Sequence, residues 1–404
     1  MPDHDSRDTL PLQEADDVGD RIHVCVGATC NNNCVFCMED DRDDRFARVV
    51  AQTPDDVARM IRDNRGTREI LFTSGEPTLN EHLPDYVRLA RASGYPVIGV
   101  ISNGRRFAYA PYLKTLLDAG MNNVIVSIHG HEARLHDGLT RARGSFDQAL
   151  RGLRNLDVMR RAYDFRVATS TVVNRRNLPH LPEICAMFAP LAIDRHVFNV
   201  MMPEGWGATN VATLMPRYRD VTAAFAALLP ALTPAFRQRI AVVDIPYCTT
   251  EGLPDAVRGY VERYFHYEPD GSFERRADGM ERQVARDDDD RLFQAAALAG
   301  ERTAFTRVTR TFQETFVRAK RPECARCGYD AVCRGVWKPY VARFGWDEMV
   351  PVTRPSARVP EPVAAAAPAS RDAAAASPVP AAARTAAARG ARARRGTASG
   401  SGRP

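Results

Sequence analysis

Six short runs rich in β-branched and aromatic residues alternate with amphipathic stretches between residues 21 and 201, and that rhythm leaves few architectures open. The runs are 21–27 (RIHVCVG), 69–75 (EILFTSG), 96–104 (PVIGVISNG), 123–130 (NVIVSIHG), 165–173 (FRVATSTVV) and 196–201 (HVFNVM). Helical stretches are expected at 54–65, 83–94, 112–120, 145–162 and 181–191. In 83–94, Leu83, Tyr86, Val87, Leu89 and Ala90 share one helical face. Gly94 and Gly120 stand where helices should stop. Repeated strand–helix units predict parallel strands joined by right-handed crossovers. The class is therefore α/β, with the sheet either open or curled into a partial barrel; periodicity does not choose between them.

Past residue 210 the alternation weakens. Residues 215–232 read as a helix and 270–300 as a polar loop or surface helix around the acidic run Asp287–Asp290. Residues 240–350 are expected to form a second, smaller region after a main domain at 21–235. Residues 1–20 hold seven acids and one Arg, have no apolar stretch of signal-peptide type, and read as a flexible acidic leader. Residues 353–404 are rich in Ala, Pro, Arg and Ser, carry a net +7, and read as a disordered tail. The chain total is +5, so residues 1–352 carry about −2. No basic stripe interleaved with aromatics occurs, so no nucleic-acid partner is expected. Apolar residues at 45% and charged residues at 26% exclude wholesale disorder. No run of 18 apolar residues appears, so no membrane span is expected, and the expected location is cytoplasmic.

Nine cysteines carry more information than the charge. Six fall in two tight clusters, and in a reducing compartment clustered cysteines read as metal ligands rather than bridges. The first cluster, Cys30, Cys34 and Cys37, is C-x3-C-x2-C directly after the first expected strand. Three thiolates so close can wrap a soft metal or an iron–sulfur cluster. A [4Fe–4S] cube needs four ligands, so three leave one iron open for chemistry. A structural zinc would want a fourth local ligand, and the nearby His23 and Cys25 lie in the preceding strand. The remaining Cys25 and Cys185 read as small buried apolar residues.

The spacing and place of Cys30, Cys34 and Cys37 resemble the signature of the radical S-adenosylmethionine (SAM) superfamily. Further segments follow in the order that family shows. Ser74-Gly75-Glu76-Pro77 resembles its G-G-E-P segment, with Ser74 in place of the first Gly. Ser102-Asn103-Gly104 resembles T-N-G, and Ser127-Ile128-His129-Gly130 resembles S-[IL]-D-G with His129 in place of Asp. His136-Asp137, Arg141 and Gly144-Ser145-Phe146 resemble the stretch that follows. The likeness spans about 20–205. It implies a partial (β/α)6 TIM-like barrel with the cluster at the C-terminal ends of the strands. It implies that the three cysteines hold a [4Fe–4S] cluster whose fourth iron chelates SAM, which is cleaved to a 5′-deoxyadenosyl radical for hydrogen abstraction. By the same resemblance Phe36 would shield the cluster and contact adenine. Gly75 and Glu76 would approach the SAM amino group. Ser127 and Arg141 would hold the SAM carboxylate or ribose, and Asn103 would lie near the ribose. Residues 200–205 stand where a Gly-rich strand is usual, without a clear match. His129, His131 and His136 cluster in one loop and read as solvated or hydrogen-bonded histidines rather than a metal site. An electron donor such as flavodoxin or ferredoxin is implied as a partner.

The second cluster, Cys324, Cys327 and Cys333, is C-x2-C-x5-C, and Cys248 is the natural fourth ligand. Four thiolates suit zinc or a [4Fe–4S] cluster alike. The resemblance tips this toward an auxiliary [4Fe–4S], because many relatives carry C-terminal SPASM or twitch extensions with this spacing. The full SPASM pattern continues with cysteines, whereas Trp337 stands here, so one auxiliary cluster is expected. Aromatics from Trp337 to Trp346 are expected to pack over it. Relatives with such extensions often modify peptides or proteins, which is the expected activity. The alternatives are chemistry on a small molecule or cofactor precursor, as in molybdopterin synthesis, and a non-catalytic electron-transfer or binding protein. The ending Ser-Gly-Arg-Pro, where the molybdopterin branch ends in Gly-Gly, weighs against the first, and the Gly75-Glu76-Pro77 segment against the second.

Overall fold

Each of the six β-rich runs forms a strand: β1 Arg21–Cys25, β2 Glu69–Thr73, β3 Val97–Ser102, β4 Asn123–Ser127, β5 Arg166–Val173 and β6 Arg195–Val200. The structure, a computed structural model, describes residues 21–27, 29–38, 53–65, 68–254, 257, 265–267, 318–330, 333 and 335–355. The expected leader, the polar segment 270–300 and the tail beyond 355 lie outside the described residues.

The strands stand in chain order and every neighbouring pair is parallel. Ile22 lies opposite Ile70, Ile70 opposite Ile98, Val100 opposite Val124, Val126 opposite Thr169, and Thr171 opposite Phe198. Two further strands join at the edges. β7 (Ile240–Val243) pairs with β6 and β8 (Phe265–Tyr267) pairs with β1, both in parallel. The order β7-β6-β5-β4-β3-β2-β1-β8 is that of a sheet wound in one direction, a partial TIM-like barrel. The sheet therefore continues past residue 235, where the alternation stops being legible. All four β7 residues are buried, so the strand shows no polar alternation.

Helices α1 (Pro54–Asp63), α2 (Leu83–Ala92), α3 (Ala110–Ala119), α4 (Ala133–Thr140), α5 (Ser145–Met159), α6 (Leu181–Phe188) and α7 (Tyr218–Leu228) separate the strands. Thr53 starts α1 with a capping box: its hydroxyl accepts the Asp56 N–H at 3.2 Å and its own N–H reaches the Asp56 carboxylate at 3.3 Å. On α2, Leu83, Tyr86, Val87 and Ala90 are buried, and Leu89 is half-buried at the margin of the expected face. Helix α4 escaped the sequence pattern, being eight residues long with polar residues at its centre.

In β6 the alternation decides what each face does. His196, Phe198 and Val200 are buried, with Phe198 edge-on to Phe225 of α7 and His196 stacked on Phe188 of α6. Burial of one such aromatic side chain contributes about 1.5–3 kcal/mol. The other face is half-buried and polar: Ser127, Ser170 and Asn199 sit there, with Asn199 donating to the Ser170 hydroxyl at 2.8 Å.

The C-terminal segment adds an antiparallel pair, β9 (Arg318–Ala319) and β10 (Val336–Trp337), and helix α8 (Lys338–Phe344). Tyr340 of α8 stacks on Tyr218 of α7 at 3.9 Å between ring centres, accepts the Tyr218 N–H at 3.0 Å and donates to Glu348 at 2.9 Å. Glu348 in turn pairs with Arg217 at 2.8 Å. Trp337 and Tyr340 are buried in the core, and Phe344 and Trp346 pack against it. Among the described residues no helix is long and apolar enough to cross a membrane.

Candidate active site

Strand β1 delivers the chain to the C-terminal edge of the sheet, and the next residues form a loop carrying Cys30, Cys34 and Cys37. All three are half-buried and none is in a disulfide. The loop is held from four sides. From the β2 loop, the Glu76 N–H donates to Thr29 O at 2.7 Å. After β3, the Asn103 amide donates to Asn31 Oδ1 at 2.6 Å, and Arg105 donates to Asn32 Oδ1 at 3.0 Å and to Asn31 O. At the end of α4, Thr140 O accepts from Asn33 N at 2.8 Å and Leu139 O from Val35 N at 3.0 Å. From the segment after β6, the Gly207 N–H donates to Cys37 O at 3.0 Å and Asn210 to Val35 O at 3.1 Å. A Cβ on Gly207 would stand 2.8 Å from Met202 O and 3.3 Å from Phe36 O, so only glycine allows this approach. The backbone is thus pinned while the thiols stay partly accessible.

The expected SAM-contacting residues divide into those that meet the Cys loop and those that do not. Ser74 and Gly75 both have left-handed backbones, at φ 74° and 55°, and turn the chain from β2 toward the loop. Glu76 is buried, and its carboxylate accepts from Thr78 N at 3.1 Å, Thr78 Oγ1 at 2.5 Å, Ser102 Oγ at 2.7 Å and Asn103 N at 2.6 Å. Burial pushes its pKa up against the pull of those donors. It ties the β2 loop to the end of β3. Asn103 bridges from there into the Cys loop. Ser127 ends β4, half-buried on the polar face, with no hydrogen bond to the Cys loop among the described residues. Arg141 follows α4 at φ 49° and is exposed.

Phe36 is buried and meets His129 edge-on at 4.6 Å. His129 and His136 are buried and stacked 5.7 Å apart. His129 Nδ1 accepts from Val172 N at 3.2 Å, and His136 Nδ1 accepts from His129 N at 3.1 Å. Burial holds the His129 pKa well below the ordinary imidazole value and that of His136 at about 4, so both are neutral near pH 7. Asp137 accepts from Gly144 N at 2.6 Å, Phe146 N at 2.8 Å and Ser145 Oγ at 2.8 Å, fixing the start of α5. Burial opposes its ionisation, but these donors together outweigh it and hold the pKa below the usual value. Arg105 and Gly207 are the contributors that sequence reasoning missed. Arg105 follows the Asn103-Gly104 pair directly, the one signal that marked its neighbourhood.

The four C-terminal cysteines come together. Cys248 lies on a short turn after β7, and with Cys324, Cys327 and Cys333 it lines one cavity, alongside Lys320, Gly335 and Val336. Burial pushes the Cys248 thiol up to about 12, and its neighbours Cys333, Cys327 and Cys324 add to that. The Val352 N–H reaches Cys327 Sγ and the Gly335 N–H reaches Cys333 Sγ, each at 3.4 Å. Among the described residues, no three His, Cys, Asp or Glu side chains converge on a single ion position.

A family model described as the Radical SAM superfamily matches residues 24–184, from β1 through α6. The Fe-coproporphyrin III synthase of Methanosarcina barkeri is 29% identical over 187 residues, covering 45% of this chain and 44% of that protein. The PqqA peptide cyclase of Rhodopseudomonas palustris is 29% identical over 204 residues, 48% of this chain and 49% of that one. The GTP 3′,8-cyclase of Chlorobaculum tepidum is 29% identical over 139 residues, 34% of this chain and 41% of that one. The chain thus spans about half the length of the curated relatives it matches. Among solved structures, Streptococcus suis SuiB bound to precursor peptide SuiA aligns with a TM-score of 0.53 at 14% identity, over 80% of this chain and 72% of that one, a likeness of fold. The Cys loop, the strand order and the family match agree on one architecture over residues 24–184, that of the radical SAM superfamily.

Proposed function

We propose that this protein is a radical SAM enzyme that modifies a peptide or protein, with a [4Fe–4S] cluster on Cys30, Cys34 and Cys37 and a second on Cys248, Cys324, Cys327 and Cys333. The observation that carries the reading is the three-thiol loop at the C-terminal edge of the sheet, braced by the segments after β2, β3 and β6 and by α4. The donor set fits the group. Three soft ligands on one loop leave an iron for SAM, and His23 and Cys25, the nearby candidates for a fourth ligand, are buried within β1. When bound, the cluster and SAM supply one-electron cleavage of the SAM sulfonium and hydrogen abstraction from the substrate.

The chain's own groups have separate tasks. The pinned backbone fixes the three thiols. Phe36, backed by neutral His129, walls one side of the loop and keeps water from it. The left-handed Ser74–Gly75 turn would approach the SAM amino end. Glu76 acts by holding that turn against β3. Ser127, Ser170 and Asn199 on the half-buried face would offer hydroxyl and amide groups to a substrate or the SAM ribose, and Arg141 would offer its charge to the SAM carboxylate.

Four thiolates lining one cavity suit a zinc or a [4Fe–4S] cluster alike, and the likeness to extended radical SAM enzymes favours the cluster. Positive iron would also reverse the burial that now keeps Cys248 protonated. The peptide assignment draws on the PqqA peptide cyclase and, for fold, on SuiB with its precursor peptide. The similar GTP 3′,8-cyclase supports a second reading, chemistry on a small molecule. A flavodoxin or ferredoxin would deliver the electron.

The test is anaerobic incubation of the reconstituted protein with dithionite and SAM, with 5′-deoxyadenosine measured by chromatography. Cleavage is expected, with faster turnover when the true peptide is added. Full iron loading without any 5′-deoxyadenosine would contradict the assignment. Stimulation by a nucleotide or tetrapyrrole, and by no peptide, would favour the second reading.

A further inference from the structure

We propose that the C-terminal extension holds a buried carboxylate-binding site built on Arg318, with the Tyr218 hydroxyl beside it, next to the cavity of the four cysteines. Arg318 lies in β9 and is only 8% exposed. Its guanidinium lies 4.1 Å from the ring centre of Trp337, its neighbour across the β9–β10 ladder, so the stem and plane are fixed. Its Nε and Nη2 are buried, and among the described residues they have no hydrogen-bond partner and Arg318 forms no ion pair. These two nitrogens are not an arbitrary pair. Their N–H bonds run side by side along one edge of the guanidinium, the fork that matches the two oxygens of a carboxylate.

Arginine cannot shed its charge on burial, and a buried unpaired charge is among the most destabilising features a fold can keep. Water would satisfy the two donors alone; an anion would also meet the charge, which forms no ion pair among the described residues. The Tyr218 hydroxyl is buried, has no hydrogen-bond partner among the described residues, and feels the Arg318 charge, so it offers a third donor. The acids near Tyr218 are Asp244, which is buried with interactions of its own and forms no ion pair with Arg318 among the described residues, and Glu348, which is engaged by Arg217, Arg219 N and Tyr340. Gly335 and Val336, just before Trp337, line the cysteine cavity, and the Arg318 charge also reaches Cys333. A ligand clamped by its carboxylate here would have the rest of its chain beside the auxiliary site. If the substrate is a peptide, the clamp would take a Glu or Asp side chain or the C-terminus. That last step rests on the peptide reading; the site itself does not.

Calorimetric titration of the full-length reconstituted protein with propionate and with its neutral isostere propionamide, at equal ionic strength, tests this. Propionate should bind at least about tenfold more tightly. Arg318→Met should abolish the preference while melting at or above the wild-type temperature, because it removes a buried charge that has no ion-pair partner among the described residues. Tyr218→Phe should keep the fold and weaken propionate severalfold. Equal binding of acid and amide would overturn the proposal, as would a preference that survives Arg318→Met. A variant that melts below wild type would mark Arg318 as packing for the fold itself and overturn it too. Titration with a peptide bearing an internal Glu and an amidated end, against one bearing only a free C-terminus, identifies the carboxylate's source. Propionate binding with neither peptide bound more tightly would leave the site standing and refute the peptide reading.

Discussion

Replacing Arg105 by Met keeps the length and apolar stem of the side chain and removes its hydrogen bonds to Asn31 O, to Asn32 Oδ1 at 3.0 Å and to Gln148 Oε1 at 2.6 Å. Two of these hold the Cys loop. A hydrogen bond from a charged donor contributes about 1.5–3 kcal/mol, and the half-buried setting of Arg105 argues for the lower end. The loop should therefore lose about 3 kcal/mol of local stability, which is roughly a 100-fold rise in the population of its displaced form. Native-state hydrogen exchange reads that directly. The amides of Asn33 and Val35, which bond to Thr140 and Leu139, should exchange about 100-fold faster, while the β4–β5 ladder amides stay unchanged. Arg105→Lys should fall between, because an ammonium cannot reproduce the planar fork. Exchange at Asn33 and Val35 within about threefold of wild type would show that the other three braces hold the loop alone, and the reasoning would fail.

Three further outcomes are expected. Ser74→Gly should raise the melting temperature by about 2 °C, since a non-glycine residue at φ 74° carries roughly 1 kcal/mol of strain; a fall would show that the Ser74 side chain contributes more than its backbone loses. Gly207→Ala should lose about 1–3 kcal/mol and speed iron loss to a chelator, because its Cβ would collide with Met202 O; unchanged loss would sever the β6 segment from the site. His196, stacked between Phe188 and Phe236, is held by burial at about 3. The unfolded chain takes up this proton below about pH 6.5 and the folded chain does not, so stability drains away as pH falls from there toward 3, at about 1.4 kcal/mol per pH unit. Urea titrations near pH 6 and pH 5 should show a shallower loss for His196→Leu, and identical slopes would rule that proton out.

The sheet was legible because β4–β6 alternate buried and half-buried residues and because helices such as α2 repeat their apolar face. β7 was not, since a four-residue strand buried throughout looks like any apolar tetrapeptide. The Cys spacing and the turn chemistry of Ser74–Gly75 marked the loop and its neighbour. What the sequence did not reveal were side chains whose role depends on distant backbone: Arg105 bonds to carbonyls more than seventy residues away, and Gly207 matters only because Met202 O and Phe36 O crowd it. Glu76 shows the reverse. The motif led to a SAM contact, while the fold surrounds its carboxylate with four donors of the chain's own. The meeting of Cys248 with Cys324, Cys327 and Cys333 follows from a chemical argument about ligand number, which spacing alone left open.

The most direct test of the central claim is iron and acid-labile sulfide per chain after anaerobic reconstitution, for wild type and for the combined Cys30→Ala, Cys34→Ala, Cys37→Ala variant. The account predicts about eight irons falling to about four, two cubes and then one. About four falling to none would remove the auxiliary cluster, and no iron in either protein would contradict the account at its root.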